Sequence, residues 1–294
     1  MAKKYVIEEA PVREQVNLRM AITGAQGSGK SYTALNLMYY LMGGKKFGVI
    51  DSERGRAKLY LPAPKQKPNP EKGTFPFVYI KLDSYDTLDY IAAIDVMIAA
   101  GIKGLVIDGI SHAWEGQGGL LDQKSQLDAR PGSNNYTNWA GITKKQNEFI
   151  NKLLDYPGHL IVTMRSKVDY VIDASSGKNQ VRKIGLQPVQ RDGVSYEFDI
   201  EALMEDATMS FTKLRNVPEL KDKTFKNPGK EVAEILIDWL GIGVEMPLDA
   251  QNFKTRMAGL GFDDNDKLKA FADQHPEVTG PFRYTELLKL AEQG

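Results

Sequence analysis

Short apolar runs alternate with helical patterns along the first part of the chain. Residues 17–24, 47–50 and 104–108 have the length and composition of buried strands. Residues 32–42 and 84–100 lie between them and carry apolar side chains three and four positions apart, which predicts helices with one buried face. Strands that alternate with such helices are typical of α/β domains with a mostly parallel sheet.

The pattern changes beyond the next apolar strand, residues 159–164. Residues 168–214 alternate in short strand-like stretches around turn residues, which predicts an antiparallel hairpin extension of the sheet. Residues 115–137 are rich in Gly, Gln, Asp, Ser and Asn and predict a surface excursion, whereas residues 216–228 predict a loop.

The end of the chain is expected to form a separate small domain. An amphipathic helix over residues 229–240 closes the core predicted for residues 1–240. The Gly and Pro residues within 241–247 predict a linker. Residues 248–294 contain short helical patterns and predict a small helical C-terminal appendage.

Composition and charge exclude several classes of protein. The formal net charge of the 294 residues is +0 at pH 7, so nucleic-acid binding would require a local basic patch. The absence of cysteine excludes disulfides, thiol catalysis and cysteine-based zinc sites. The first residues lack the pattern of a signal peptide, and no apolar run approaches the roughly 18 residues of a membrane span, so we expect a cytoplasmic protein without membrane contact.

The most specific motif lies between the first predicted strand and the first predicted helix. Residues 24–31 read Gly-Ala-Gln-Gly-Ser-Gly-Lys-Ser and match G-x-x-x-x-G-K-[ST] at every fixed position. Such a loop surrounds phosphates with backbone N–H groups, while Lys30 contacts the β- and γ-phosphates and the Ser31 hydroxyl contacts Mg²⁺. A nucleoside triphosphate with Mg²⁺ is therefore the expected ligand. The predicted phosphate-binding residues are Gly24, Gln26, Gly27, Ser28, Gly29, Lys30, Ser31 and Tyr32.

Two carboxylates follow buried strands, at the edge of the sheet where open α/β proteins bind ligands. Glu53 is a candidate to polarise the water that attacks the γ-phosphate, and the alternative is a solvated loop glutamate. Asp108 is a candidate to hold Mg²⁺ through water, as the usual partner of a phosphate loop. Its alternative is a cap of the turn that follows.

Residues 165–193 carry six basic and three acidic side chains around a predicted hairpin. A basic ribbon beside a nucleotide site suits a phosphate backbone, and an ordinary solvated hairpin remains the alternative. The DNA-binding candidates are Lys167, Lys178, Arg182, Lys183 and Arg191.

Lys213 and Arg215 close a predicted strand two positions apart, so they project from one face of it. They are candidates for cations that reach the triphosphate of a neighbouring subunit. The alternative is a surface strand end without a catalytic role.

Several of these motifs together resemble the core of the RecA superfamily. The likeness rests on residues 24–31, 49–53, 105–108 and 163–167. In that superfamily a glutamate after the second strand activates water, and Glu53 stands at the matching place. A closer likeness is to bacteriophage AAA-type P-loop ATPases, carried by residues 51–55, 163–167 and 188–199 and spanning about residues 17–240.

The resemblance implies a RecA-like P-loop NTPase core that binds ATP and Mg²⁺. It also implies action on single-stranded DNA in recombination, annealing or replication, assembly as a ring or filament, and a phage replication or recombination protein as a partner. Lys213-Leu214-Arg215 resembles the Lys-x-Arg finger of hexameric RecA-like ATPases. Where RecA has a γ-phosphate-sensing glutamine, this chain has Met164-Arg165, which makes Arg165 the sensor candidate.

Three functions remain open at this point. The first is a Mg²⁺-dependent ATPase that acts on single-stranded DNA. The second is an ATP-dependent switch or loader that docks a replication protein and does not respond to DNA. The third is a small-molecule or nucleotide kinase. The family likeness and the basic hairpin weigh against it, and the sequence shows no separate acceptor-site motif.

Overall fold

The computed structural model describes residue 13 and residues 15–173, 180–241, 250–262, 264–278 and 283–293. The chain divides into two compact units. The larger unit holds residues 17–237, and the smaller one draws on residues 1–16 and 238–294.

Strands and helices alternate through the first part of the larger unit, as the apolar pattern predicts. In chain order the elements are β1 (Arg19–Gly24), α1 (Lys30–Leu41), β2 (Phe47–Asp51), β3 (Phe77–Lys81), α2 (Thr87–Ala99), β4 (Gly104–Asp108), α3 (Ser111–Glu115), α4 (Leu120–Asp128), α5 (Asn135–Leu154), β5 (His159–Asp173), β6 (Gln180–Pro188), β7 (Ile200–Glu205), β8 (Thr208–Leu214), β9 (Thr224–Lys226) and α6 (Lys230–Gly241).

The strands of the described chain form one sheet in the order β3-β2-β4-β5-β1-β7-β8-β9, with β6 paired to β5. All pairs from β3 to β7 along this order are parallel, whereas β8, β9 and β6 add antiparallel pairs. Every residue of β2 and β4 is buried, because helices cover both faces of a parallel sheet. The predicted α/β fold is confirmed.

Three elements differ from the prediction. The strand predicted for residues 159–164 continues as β5 to Asp173. The first strand of the hairpin is therefore an extension of a core strand. The predicted surface excursion contains α4, and the predicted loop over residues 216–228 contains the short strand β9. The predicted turn at residues 175–177 lies outside the described residues.

The described part of the smaller unit includes the short helices α7 (Ala250–Gly259), α8 (Asn265–Gln274) and α9 (Arg283–Gln293). They enclose a separate apolar cluster made by Phe253, Met257, Val278, Leu287 and Leu288. Residues 242–247 of the predicted linker lie outside the described residues. No described helix has the length and apolar character that a membrane crossing requires.

His159, at the start of β5, gives the fold a predictable pH dependence. Its Nδ1 accepts a hydrogen bond from the Leu18 N–H at 3.1 Å, and burial, with Arg19 nearby, lowers the pKa of His159 to about 4. The unfolded chain takes up this proton near pH 6.5, so stability is full above that value and falls as the pH drops towards 4. We expect this group to cost about 1–3 kcal/mol of unfolding free energy between pH 7 and about pH 4.5.

Denaturant unfolding at the two pH values measures that loss. His159→Gln should be less stable at pH 7 but should lose less stability on acidification than the wild type. Equal pH dependence in the two proteins would show that His159 does not titrate as its surroundings require.

Candidate nucleotide site

The phosphate loop and the predicted catalytic side chains meet at one edge of the sheet. Strands β1, β2, β4 and β5 are parallel neighbours, so their carboxyl ends lie side by side. A cavity of about 780 Å³ opens there. Its lining includes Gln26, Gly27, Gly29, Lys30, Ser31, Tyr32, Glu53, Asp108 and Arg165.

The loop between β1 and α1 has the geometry of an anion cradle. Gly27 and Gly29 have φ values of 78° and 98°, which side chains rarely permit, and a Cβ on Gly27 would meet nothing within 4 Å. Helix α1 starts at Lys30, so the first N–H groups of the helix point into the loop without helical partners. Ser28 Oγ is buried with no partner among the described residues. These features fit a bound phosphate chain.

Gly24 has a different role, which is packing against β7. A Cβ there would lie 2.4 Å from the Met204 carbonyl oxygen. The glycine therefore lets the phosphate loop start close beside the neighbouring strand.

The Lys30 side chain contacts the backbone of the phosphate loop. Its Nζ donates to the Ala25 carbonyl at 2.6 Å. Burial lowers the pKa of Lys30, while Asp108 and Glu53 act in the opposite direction. A phosphate chain in the loop would offer this ammonium stronger acceptors than a single carbonyl oxygen. Tyr32, one position beyond Ser31, packs its ring against Tyr60 at a centroid distance of 6.1 Å.

Asp108 and Ser31 are in direct contact, so both could contribute to one Mg²⁺ site. Asp108 Oδ1 accepts hydrogen bonds from Ser31 Oγ at 2.9 Å and Thr163 Oγ1 at 2.7 Å. Burial raises the pKa of Asp108, and the two hydroxyl groups oppose that rise. No cluster of three acidic or histidine side chains that could hold a metal exists among the described residues. This donor set fits Mg²⁺, which usually takes one carboxylate and completes its shell with water and substrate phosphates.

Glu53 faces Arg165 across the cavity. Arg165 Nη2 donates to Glu53 Oε1 at 2.9 Å and to Oε2 at 3.1 Å. The side chain of Glu53 is 23% exposed and that of Arg165 is 43% exposed. The proposed water activator and the proposed sensor therefore form one ion pair, 112 residues apart in sequence. Both residues are candidates from the sequence, but their contact is not predictable from it.

Asp51 fixes the backbone that carries Glu53, and sequence reasoning gave it no role. It is fully buried at the end of β2, where Oδ1 accepts from the Glu53 N–H at 2.5 Å. Its Oδ2 accepts from the Ala57 N–H at 3.1 Å and the Tyr79 hydroxyl at 3.0 Å. A carboxylate with three donors holds the following turn in one conformation. The only sequence signal was its place at a strand end.

His112 also lies close to Glu53. Its Nε2 lies 3.8 Å from Glu53 Oε1, and its Nδ1 lies 2.9 Å from Ser52 Oγ. The imidazole is stacked on the Tyr85 ring at 4.5 Å. Burial lowers the pKa of His112, and the nearby Glu53 carboxylate opposes that shift.

Lys213 and Arg215 lie far from the phosphate loop of their own chain. Leu214 pairs with Ile200 at the start of β7, whereas Gly24 pairs with Met204 near its end. The two cations are thus at the opposite edge of the sheet. Arg215 Nη1 forms an ion pair with Asp199 at 2.9 Å. Lys213 Nζ donates to the carbonyl oxygens of Tyr196 and Phe198, each at 2.5 Å.

The basic candidates of the hairpin are only partly described. Lys167 is exposed on β5, two positions beyond Arg165, and Arg191 lies just after β6. Arg182 and Lys183 belong to β6, in register with Val171 and Tyr170. Lys178 lies outside the described residues.

Comparison with known proteins identifies the family. No curated protein matches the chain. A family model described as an AAA domain matches residues 16–224, most of the chain. The matched region includes the phosphate loop, Glu53, Asp108 and Arg165. The chain therefore belongs to this AAA-type family of nucleotide-binding P-loop ATPases.

Proposed function

We propose that this ATPase couples Mg²⁺-dependent hydrolysis of ATP to single-stranded DNA, in the recombination, annealing or replication of a bacteriophage. In the proposed reaction Glu53 orients and polarises the attacking water, while Lys30 neutralises charge on the β- and γ-phosphates. Ser31 and Asp108 would hold Mg²⁺, which supplies further neutralisation of the phosphate oxygens.

The observation that carries the proposal is the position of Arg165. Its guanidinium pairs with Glu53 inside the cavity. Its backbone belongs to β5, the strand that continues into the β5–β6 hairpin, and its carbonyl oxygen accepts from the Val189 N–H at 2.6 Å, just after the hairpin returns. Arg165 therefore contacts Glu53 with its side chain and the base of the hairpin with its backbone.

A buried glutamine connects the same base to the segment that follows Asp108. Gln190 Nε2 donates to the Ile110 carbonyl at 3.1 Å, two residues beyond Asp108. Its Oε1 accepts from Gln146 Nε2 at 3.3 Å and from the Arg191 N–H at 3.0 Å. Because Gln190 is only 7% exposed, breaking these bonds would leave buried polar groups unpaired. The link favours joint movement of the hairpin and the nucleotide site.

The charges of the hairpin suit a phosphate backbone. Residues 165–193 carry six basic and three acidic residues, although the whole chain is neutral. A local excess of this kind attracts DNA phosphates without sequence preference, and the attraction weakens as salt rises. We therefore place single-stranded DNA against the β5–β6 hairpin.

Assembly as a ring or filament belongs to the same proposal. Lys213 and Arg215 cannot serve their own phosphate loop, so a catalytic role requires a nucleotide held by a second copy. Arg215 is the better candidate, because its side chain is 63% exposed and Lys213 already serves two backbone carbonyls.

A second candidate is an ATP-dependent switch that docks a phage replication or recombination protein. The Glu53–Arg165 ion pair favours it, because a carboxylate that is already paired with an arginine is less available to activate water. ATP hydrolysis would then be slow until the pair is broken. In that case the bound triphosphate would serve to hold a conformation.

The two functions are separated by ATP hydrolysis measured with and without single-stranded DNA, with Lys30→Ala as the blank. We expect DNA to raise the wild-type rate by about tenfold or more, as arginine and water repositioning do in related phosphoryl-transfer sites. Raising the salt should remove the stimulation before it removes the basal rate. An ATP hydrolysis rate that is unchanged by DNA, together with no DNA binding in the ATP-bound state, would favour the docking switch.

A further inference from the structure

A second cavity of about 650 Å³ adjoins the nucleotide site and has no role so far. One face of α1 forms a wall, because Tyr32, Asn36 and Tyr40 recur every four residues. Strand β9 and the start of α6 form the facing wall. Tyr32 lines both this groove and the larger cavity, so the two spaces meet at its ring.

The sheet order gives the direction in which a nucleotide leaves the phosphate loop. Glu53 follows the end of β2, and Asp108 and Arg165 belong to β4 and β5. These three strands lie on one side of β1, whereas β7, β8 and β9 lie on the other. A triphosphate with its γ-phosphate at these three side chains has its nucleoside end on the β9 side. The groove between α1 and β9 lies in that direction.

Hydrogen bonds connect the groove to the phosphate loop. The Ala207 N–H donates to the Ser28 carbonyl at 3.1 Å, and the Asn227 N–H donates to the Ala207 carbonyl at 2.7 Å. Asp206 and Ala207 form the β7–β8 turn with φ values of 46° and 57°, unfavourable for residues other than glycine. The turn thus sets the distance between the loop that binds phosphate and the wall that holds Asn227.

The lining suits a base and a ribose. Tyr32, Tyr40 and Phe225 supply aromatic surface, which stacks on a purine. The buried amide of Asn36 donates to the Pro228 carbonyl at 3.3 Å and so fixes the wall opposite. Apolar walls with a few polar groups are typical of small-molecule sites of this volume.

We infer that this groove binds the nucleoside part of the nucleoside triphosphate whose phosphates occupy residues 24–31. The inference rests on triphosphate binding at the phosphate loop. It assigns to Tyr32, Asn36, Tyr40 and residues 224–228 the selection of a nucleoside over a bare polyphosphate.

The test compares the binding of ATP and inorganic tripolyphosphate by calorimetry in the presence of Mg²⁺. Thr224→Trp fills the groove from the exposed edge strand β9. Thr212→Trp is the matched control, because Thr212 is exposed on the neighbouring strand β8 and lines neither cavity. We expect Thr224→Trp to weaken ATP binding by about tenfold or more, to leave tripolyphosphate binding unchanged, and to differ from Thr212→Trp.

The binding experiment distinguishes an incorrect assignment of the groove from an incorrect assignment of the phosphate loop. Unchanged ATP affinity in Thr224→Trp would overturn the inference, as would an equal loss for ATP and tripolyphosphate. If Leu59→Ala weakens ATP binding and Thr224→Trp does not, the base lies over the exposed Leu59 of the larger cavity instead. Absence of tripolyphosphate binding in the wild type would contradict the phosphate loop assignment itself.

Discussion

Glu53→Gln is expected to slow ATP hydrolysis by a factor of about 10²–10⁴ while ATP binding stays within about twofold of the wild type. The amide keeps the size and hydrogen-bonding shape of the carboxylate but cannot accept a proton from the attacking water. Binding should persist, because the phosphate contacts come from residues 24–31. Single-turnover hydrolysis and calorimetric ATP binding, both with Mg²⁺, measure the two quantities.

Glu115→Gln is the matched control, since Glu115 is exposed on α3, close in sequence to Asp108, and does not line the cavity. It should retain the wild-type rate. Normal turnover in Glu53→Gln would remove Glu53 from the reaction. A parallel loss of ATP binding would instead point to a role in holding Arg165.

The larger part of the fold could be predicted because buried parallel strands leave a strong pattern. β2 and β4 are apolar at almost every position and end in a carboxylate, which sequence alone reveals. The elements that were not predicted, α4 and β9, lack a clear pattern of apolar residues. Helix α4 has few apolar side chains and one buried residue, Leu120, so it resembles a polar loop. Strand β9 has three residues, too few for any periodicity.

In the site, too, features made by consecutive residues could be predicted, whereas contacts between residues far apart in sequence could not. The phosphate loop depends on eight consecutive residues, and its ligand could be predicted from them. The Glu53–Arg165 ion pair, the contact of His112 with Glu53 and the Gln146–Gln190 bond join residues far apart in sequence. Such pairs depend on the strand order, and no motif encodes it. The same order gives the groove beside α1, which sequence reasoning did not predict.

Arg165→Ala is expected to lower the DNA-stimulated rate of hydrolysis by about 10²–10³ and to abolish the response to single-stranded DNA. Two effects combine here. A cation near the γ-phosphate stabilises the charge of the transition state, and arginine residues in this role contribute up to about 10³–10⁵. Arg165 also joins Glu53 to the base of the β5–β6 hairpin, so its loss disconnects the two. Hydrolysis with and without single-stranded DNA is the measurement.

Two further variants make the Arg165 result specific. Arg165→Lys keeps the charge but loses the forked contact with both oxygens of Glu53, so it should restore part of the basal rate and little of the DNA response. Arg130→Ala removes an exposed arginine outside the cavity and should leave both unchanged. Because one of the two effects passes through Glu53, the double variant Arg165→Ala/Glu53→Gln should lose less activity than the product of the two single losses. A fully additive loss would show that Arg165 acts on the phosphate independently, and an intact DNA response in Arg165→Ala would place the coupling elsewhere in the hairpin.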